Sequence, residues 1–292
     1  MSVLILALVS LHSRMLAQTS GSIYGTVTDD SGAVISGAVV VATNLHTSVS
    51  NRLKTDASGD YQFPVLDPGD YEVYAAAADF QAQTQKAIRL DANQNVHVSF
   101  ALKVGSPEQT MTVEAHTALV DTRESQISET VDQKRIQDLP LNGRNAYDLL
   151  QVIPGVTNYI PDVATGSRVA TQITVNGSSL NTDFYLDGAY NTDAQQGGNL
   201  LPNPDALQEF RVLTGNFDAE FGYLGGGVVN AITRSGTSQF HALAFDYFRN
   251  DVLNAKNWFL TSVTPLRQNQ FGWNAGGPIP ITHGRDFFFL DE

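Results

Sequence analysis

Three observations predict a mainly β chain: turn signals recurring through the first hundred residues, apolar–polar alternation between them, and two long alternating segments near the end. Successive strand side chains point to opposite faces, so a period of two marks a sheet with unlike sides. In order, the segments give a small antiparallel β-sandwich, a mixed α+β body and a closing set of strands.

The sandwich is expected over residues 21–103. Asp30-Ser31-Gly32, Ala57-Ser58-Gly59 and Asp67-Pro68-Gly69 are turns, where Gly supplies positive φ and Pro presets the turn. Strands are expected at Ser22 to Thr28, Gly37 to Asn44, Asp60 to Pro64, Asp70 to Ala76 and Val96 to Leu102. Tyr61 and Phe63 alternate with Asp60 and Gln62, and Tyr71, Val73 and Ala75 alternate with Asp70, Glu72 and Tyr74. Such aromatics either fill a core or stack on sugar rings, and core is the commoner fate.

After a polar joint, Val104 to Gln109, a second unit runs to about Gly236. Thr130 and Gln133 fit a capping box that opens a short helix stopped by Pro140. Ala146, Leu149, Leu150 and Ile153 then repeat at helical spacing before Pro154-Gly155. Gln172 to Val175, Asp183 to Leu186, Gln208 to Thr214 and Val228 to Thr233 are strand candidates, which makes the body α+β. Asn142-Gly143 and Asp187-Gly188 suit turns. Gly225 to Gly227 lets backbone pass closely, which suits the passage from this body into the next strand. Arg144, Glu209 and Arg211 suit either ion pairs between this body and the closing strands or a solvated surface.

The last stretch, 237–292, holds Ser238 to Arg249, Asn269 to Gly277 and the start of a third strand at Arg285 to Leu290. His241, Leu243, Phe245 and Tyr247 oppose Ala242, Ala244 and Asp246. In the next strand Phe271, Trp273 and Ala275 oppose Gln270, Gly272, Asn274 and Gly276. A half-buried sheet and a transmembrane barrel with a greasy outer band share this period, so the preceding units decide between them.

Composition removes several functions. The 292 residues carry a net charge of -13 and a pI near 4.7, which repels phosphate backbones and argues against nucleic acid as a partner. With no cysteine, disulfides, thiolate metal sites and thiol catalysis are absent. No apolar run reaches the roughly 20 residues of a spanning helix, so only closed β-structure could cross a membrane. Val3 to Leu11 with Met15-Leu16-Ala17 reads as an export signal over residues 1–17, although no Lys or Arg precedes the apolar run. None of the six histidines opens an H-x-x-E or H-E-x-x-H zinc pattern. Asp29, Asp30, Asp56 and Asp60 fit no full calcium loop and read as turn formers. Catalytic, cofactor-binding and metal-ligating residues are therefore all expected to be none.

The motifs themselves carry a resemblance. Gly25-Thr26-Val27-Thr28-Asp29, Ser31-Gly32, Gly37-Ala38, Thr55-Asp56, Gly59-Asp60-Tyr61 and Pro68-Gly69-Asp70-Tyr71 resemble the carboxypeptidase regulatory-like domain, a transthyretin-like, carbohydrate-binding-like sandwich. Leu139-Pro140-Leu141-Asn142-Gly143-Arg144-Asn145, Pro154-Gly155-Val156, Val175-Asn176-Gly177, Leu186-Asp187-Gly188 and Asn191-Thr192-Asp193 resemble the plug of TonB-dependent outer-membrane receptors. So do Ala206-Leu207-Gln208-Glu209-Phe210, Ala219-Glu220-Phe221-Gly222 and Gly225-Gly226-Gly227-Val228-Val229-Asn230-Ala231-Ile232-Thr233. The whole order is similar to the Oar-like branch of that family.

The resemblance implies a fold class of N-terminal antiparallel β-sandwich, α+β plug domain, then the first strands of an incomplete outer-membrane β-barrel. It sets the layout as a signal peptide over 1–17, the sandwich over 21–103, a linker over 104–115, the plug over 116–236 and barrel strands over 237–292. It also implies a TonB box at Thr110, Met111, Thr112, Val113 and Glu114, where an extended segment adds to a partner sheet through main-chain bonds. An ordinary linker strand fits the same residues. Expected partners are a TonB-type energy-coupling protein, outer-membrane lipid, the barrel-assembly machinery and a glycan or other small ligand. Only 56 residues follow Gly236, too few for a receptor barrel, so the chain reads as an N-terminal portion of a longer transporter. The other reading is an exported sandwich protein that binds carbohydrate or another surface polymer without transporting it.

Overall fold

The computed structural model describes residues 20–105, 110–114, 127–139, 141–158, 173–179, 181–194, 197–217, 221, 225–256, 258–263, 265–282 and 286–292. The expected signal segment, most of the polar joint and Pro140 lie outside them.

The leading unit contains β1 (Gly21–Asp29), β2 (Val39–Asn44), β3 (Ser50–Lys54), β4 (Asp60–Leu66), β5 (Gly69–Ala76), β6 (Ala82–Leu90), β7 (Asn95–His97), β8 (Phe100–Leu102) and β9 (Thr110–Glu114). One sheet has the order β4-β1-β7 with β8 also on β1, and the other runs β3-β2-β5-β6-β9. Pairing is antiparallel except that β7 and β8 run parallel to β1, and β9 runs parallel to β6. The expected alternation fills the core: Ile23, Val27, Val40, Ala42, Tyr61, Phe63, Tyr71, Val73 and Ala75 are all buried between the sheets. Tyr61, Phe63 and Tyr71 thus have no face left for a sugar ring, and Tyr74 is half-buried. Turn aspartates bind their own backbone as expected. Asp29 Oδ1 accepts from the Ser31 hydroxyl at 2.6 Å and from Ser31 N and Ala33 N, which lowers its pKa, and Asp56 Oδ1 accepts from Ser58 N and Asp60 N.

The second unit contains β10 (Ile127–Asp132), helix α1 (Gln133–Asp138), two 3₁₀ segments (Asn142–Arg144 and Ala146–Val152), β11 (Val156–Asn158), β12 (Ile173–Val175), β13 (Ser178–Ser179), β14 (Thr182–Leu186) and β15 (Ala189–Tyr190). A further 3₁₀ turn, Pro204–Ala206, precedes β16 (Leu207–Gly215) and β17 (Gly227–Thr233). Its main sheet has the order β10-β16-β17-β14-β15, with β14 and β17 parallel. Phe184, Phe210, Val212, Val229 and Ala231 pack on one side of it against Ile136, Tyr147, Leu149 and Leu150. The helix cap differs from the sequence reading. Thr130 lies in β10 opposite Arg211, and Asp132 is the cap, its carboxylate accepting from Arg135 N at 2.8 Å. The glycine triple also sits elsewhere. Gly227 starts β17, and a Cβ on Gly226 would lie 2.6 Å from the Asn181 carbonyl, so the close approach is inside this unit. The passage to the next strand falls at Gly236, where a Cβ would meet the Phe288 carbonyl at 2.3 Å.

The last unit is an open sheet of β18 (His241–Asn250), β19 (Arg267–Pro278) and β20 (Phe287–Asp291). Its register corrects the face assignment. Leu243, Phe245 and Tyr247 stand opposite Asn274, Gly272 and Gln270, while Ala244 and Asp246 stand opposite Trp273 and Phe271. Directly opposed residues share a face. The two greasy rows therefore lie on different sides. Phe271, 78% exposed, Trp273 and Leu290 look outward, and Phe245 and Tyr247 look toward the second unit.

Candidate functional site

Functional geometry gathers where the second unit meets its two neighbours. Strand β16 reads Leu207-Gln208-Glu209-Phe210-Arg211-Val212-Leu213, with Phe210 and Val212 in the core on one side and Glu209 and Arg211 on the other. Glu209 is fully buried and Arg211 is 3% exposed. Their partners come from the sandwich. Arg89 Nη2 at the end of β6 donates to Glu209 Oε2 at 2.9 Å, the backbone N of Ala92 in the following turn donates to Glu209 Oε1 at 2.9 Å, and Arg211 Nη1 donates to the Ala92 carbonyl at 2.5 Å. Neither surface charges nor pairs with the last unit describe these residues. The turn after β6 is clasped between them.

Burial is the largest influence on Glu209 and pushes its carboxyl up to about 7; the Asp91 charge adds to the rise, and the Ala92 N–H and Arg89 oppose it. Burial also works against the Arg89 charge, yet the Asp91 hydrogen bond and the charges of Glu209, Asp91 and Asp70 outweigh it and raise its pKa. Gln208 Nε2 adds a second link between the same bodies, donating to the Pro68 carbonyl at 3.4 Å, while Ser238 ties the start of the last unit to the sandwich, donating through N and Oγ to the His46 carbonyl at 3.0 Å.

The other junction uses Arg144. Its guanidinium pairs with Asp205 of the same unit and lies 3.7 Å from the Tyr247 ring centre and 5.5 Å from that of Phe245. Burial raises the Asp205 pKa against the pull of Arg144. Nearby, Asn203 Nδ2 donates to both carboxylate oxygens of Asp291 at 3.1 Å, and Arg234 lies 5.3 Å from the Phe289 ring centre. The turns are as expected: Gly143, Asp187 and Gly188 all have positive φ. Asp187 also accepts from Thr233 N and Oγ1 at 2.8 Å, tying the end of β17.

Thr110 to Glu114 form β9, an edge strand paired with Ala82 to Lys86. The sequence signalled this strand but not its docking. It also failed to signal the clasp around Ala92, although opposite charges two apart inside an apolar strand were the available clue. Among the described residues, no group of three or more His, Asp or Glu is placed to hold a metal.

Family models match in the order of the three units: Carboxypeptidase regulatory-like domain over residues 22–103, TonB-dependent Receptor Plug Domain over 121–229, and Outer membrane beta barrel domain over 232–292. The TonB-dependent transporter Oar of Myxococcus xanthus is 30% identical over 91% of this chain and 26% of its own length, so the chain spans about a quarter of the curated relative it matches. The siderophore receptor PirA from Acinetobacter baumannii is similar over 52% of this chain and 22% of its own, at 24% identity and a TM-score of 0.37. A chain of the FpvAI–pyocin S2 complex is similar over 53% and 18%, at 21% identity and a TM-score of 0.38. With a regulatory-like sandwich, a plug and outer-membrane barrel strands matched in that order, the chain carries the domain order of the TonB-dependent receptors of the outer membrane and is similar to their Oar-like branch.

Proposed function

We propose that this chain is the gate-bearing portion of a transporter that admits a ligand across the outer membrane when a TonB-type energy-coupling protein draws on Thr110, Met111, Thr112, Val113 and Glu114. In this reading residues 1–17 direct export, 21–103 form a periplasmic sandwich, 104–115 carry the coupling segment, 116–236 obstruct the pore, and 237–292 begin its wall. The wall faces outer-membrane lipid and is inserted by the barrel-assembly machinery. The receptor makes and breaks no covalent bond in its ligand and needs no cofactor.

One observation carries the reading: the plug's Arg144 guanidinium sits 3.7 Å from the centre of the Tyr247 ring on the last sheet while its charge is matched by Asp205 within the plug. A body held that way fills a pore yet can slide without stranding a charge.

The test requires no knowledge of the ligand. Cells making the full-length receptor should exclude vancomycin, and cells making the same receptor without residues 116–236 should become sensitive to it. Equal exclusion by both would defeat the gate reading.

A further inference from the structure

The outer face of the sandwich's four-stranded sheet lends no residue to the ion pairs and hydrogen bonds that join the plug to its neighbours. Along β1, Ile23 and Val27 point into the core, so Ser22, Tyr24 and Thr26 point away from it. Their register partners share that face. Tyr24 stands between Gln62 of β4 and His97 of β7, Thr26 stands beside Asp60, and Ser22 stands beside Asn95. With Asp56 from the turn before β4, these residues line a cavity of about 460 Å³, within the range that holds small ligands.

The cavity is braced by its own side chains. Ser22 Oγ donates to Asn95 Oδ1 at 2.5 Å, the Thr26 hydroxyl donates to Asp60 Oδ1 at 2.6 Å, and Ser99 Oγ accepts from Thr26 N at 3.2 Å while lying 3.0 Å from His97 Nε2. The Tyr24 and His97 ring centres sit 5.1 Å apart, inclined at 38°, and make one aromatic platform.

Such a lining selects by chemistry. Two carboxylates, with no Lys or Arg among the described lining residues, turn away phosphates and carboxylates. A metal ion finds no group of three or more His, Asp or Glu among the described residues. A peptide strand adds to a sheet edge, whereas β1 is already paired on both sides. What remains is an uncharged molecule with an apolar ring face and many hydroxyls, the first for the platform and the second for carboxylate oxygens and side-chain amides. We propose that this face is a saccharide-binding site, with a pyranose ring on Tyr24 and His97 and its hydroxyls bonded to Asp60 and Gln62. It uses rings other than Tyr61, Phe63 and Tyr71, which the core consumes. It needs no gate to operate, so its failure leaves the proposed function untouched.

Titrating the full-length receptor with cellotriose, maltotriose and triacetylchitotriose tests the site, read by saturation-transfer NMR of the sugar protons. At least one should bind with a Kd below about 1 mM, and which one binds separates plain hexoses from acetamido sugars. Tyr24→Ala should weaken that binding at least about tenfold, and Tyr24→Phe, which keeps the ring, by less than about threefold. Gln62→Ala changes an exposed residue outside the core, so its expected loss of about threefold guards against a folding artefact. No binding of any of the three sugars, or binding that Tyr24→Ala and Gln62→Ala leave unchanged, overturns the site. Displacement of the bound sugar by inorganic phosphate overturns it too.

Discussion

The plug has two junctions, and they handle charge in opposite ways. Toward the sandwich, the ion pair crosses the boundary: Glu209 belongs to the plug and Arg89 to the sandwich. Toward the wall, the closest ion pair stays on one side, with Arg144 and Asp205 both in the plug; the guanidinium meets the Tyr247 and Phe245 rings, and neutral Asn203 holds the wall's Asp291. Parting the first junction separates a fully buried carboxylate from a guanidinium that is 41% exposed, and removing one member of a wholly buried pair typically costs about 3–5 kcal/mol. Parting the second forfeits cation–ring contacts worth about 0.5–2 kcal/mol and the exposed Asn203–Asp291 hydrogen bonds, without separating a buried ion pair. On the proposed gate reading, sandwich and plug move together, whereas plug and wall separate.

The largest effect should come from a change that touches neither junction. Phe210→Ala empties a fully buried site beneath β16 and should cost about 4 kcal/mol of plug stability, read by denaturant unfolding. If it loosens the sandwich less than the plug, the two are not one cooperative body. Next, Arg89→Ala should loosen the sandwich junction by about 3 kcal/mol at pH 8, near the low end for buried pairs because Arg89 is itself partly exposed. Amide exchange around Ala92 reports it directly, and unchanged protection there would equalise the two junctions.

The pH response follows from Glu209. Its folded value, about 7, lies above the ordinary 4.5, so its contribution is fully present below about 4.5 and is lost as the pH rises through about 7. Protection of residue 92 should therefore weaken across that window, and Glu209→Gln should flatten the trend. A flat response in the unsubstituted receptor would show that Arg89 cancels the burial penalty. The smallest effect belongs to the wall: Tyr247→Leu should reduce plug retention by about 1 kcal/mol, seen as a modest rise in pore conductance of the full-length receptor. An effect as large as that of Arg89→Ala would erase the contrast.

Which parts were readable from the chain depends on what a period can encode. Tyr61, Phe63, Tyr71 and Val73 alternate cleanly, and their burial was legible. Strand β3 was not, because Ser50-Asn51-Arg52-Leu53-Lys54 is an exposed edge with one partly buried apolar residue. Strand β6 hides its period in small and polar residues, Ala82 and Thr84, and then shifts phase at Ala87. Each barrel strand displayed two unlike sides, but which side of β18 matches which side of β19 is set by register across a connection of about 16 residues, and no local pattern fixes that. The clasp depends on partners more than a hundred positions apart, beyond the reach of any window.

The inward rings of Phe245 and Tyr247 also bear on the order of construction. A wall completed ahead of its occupant wets two aromatic surfaces, at about 1.5–3 kcal/mol each, which slows closure without forbidding it. A receptor supplied with residues 116–236 as a separate, late-arriving chain should therefore still close, but more slowly than the intact receptor, as read from the rate at which its sheet becomes protease-resistant.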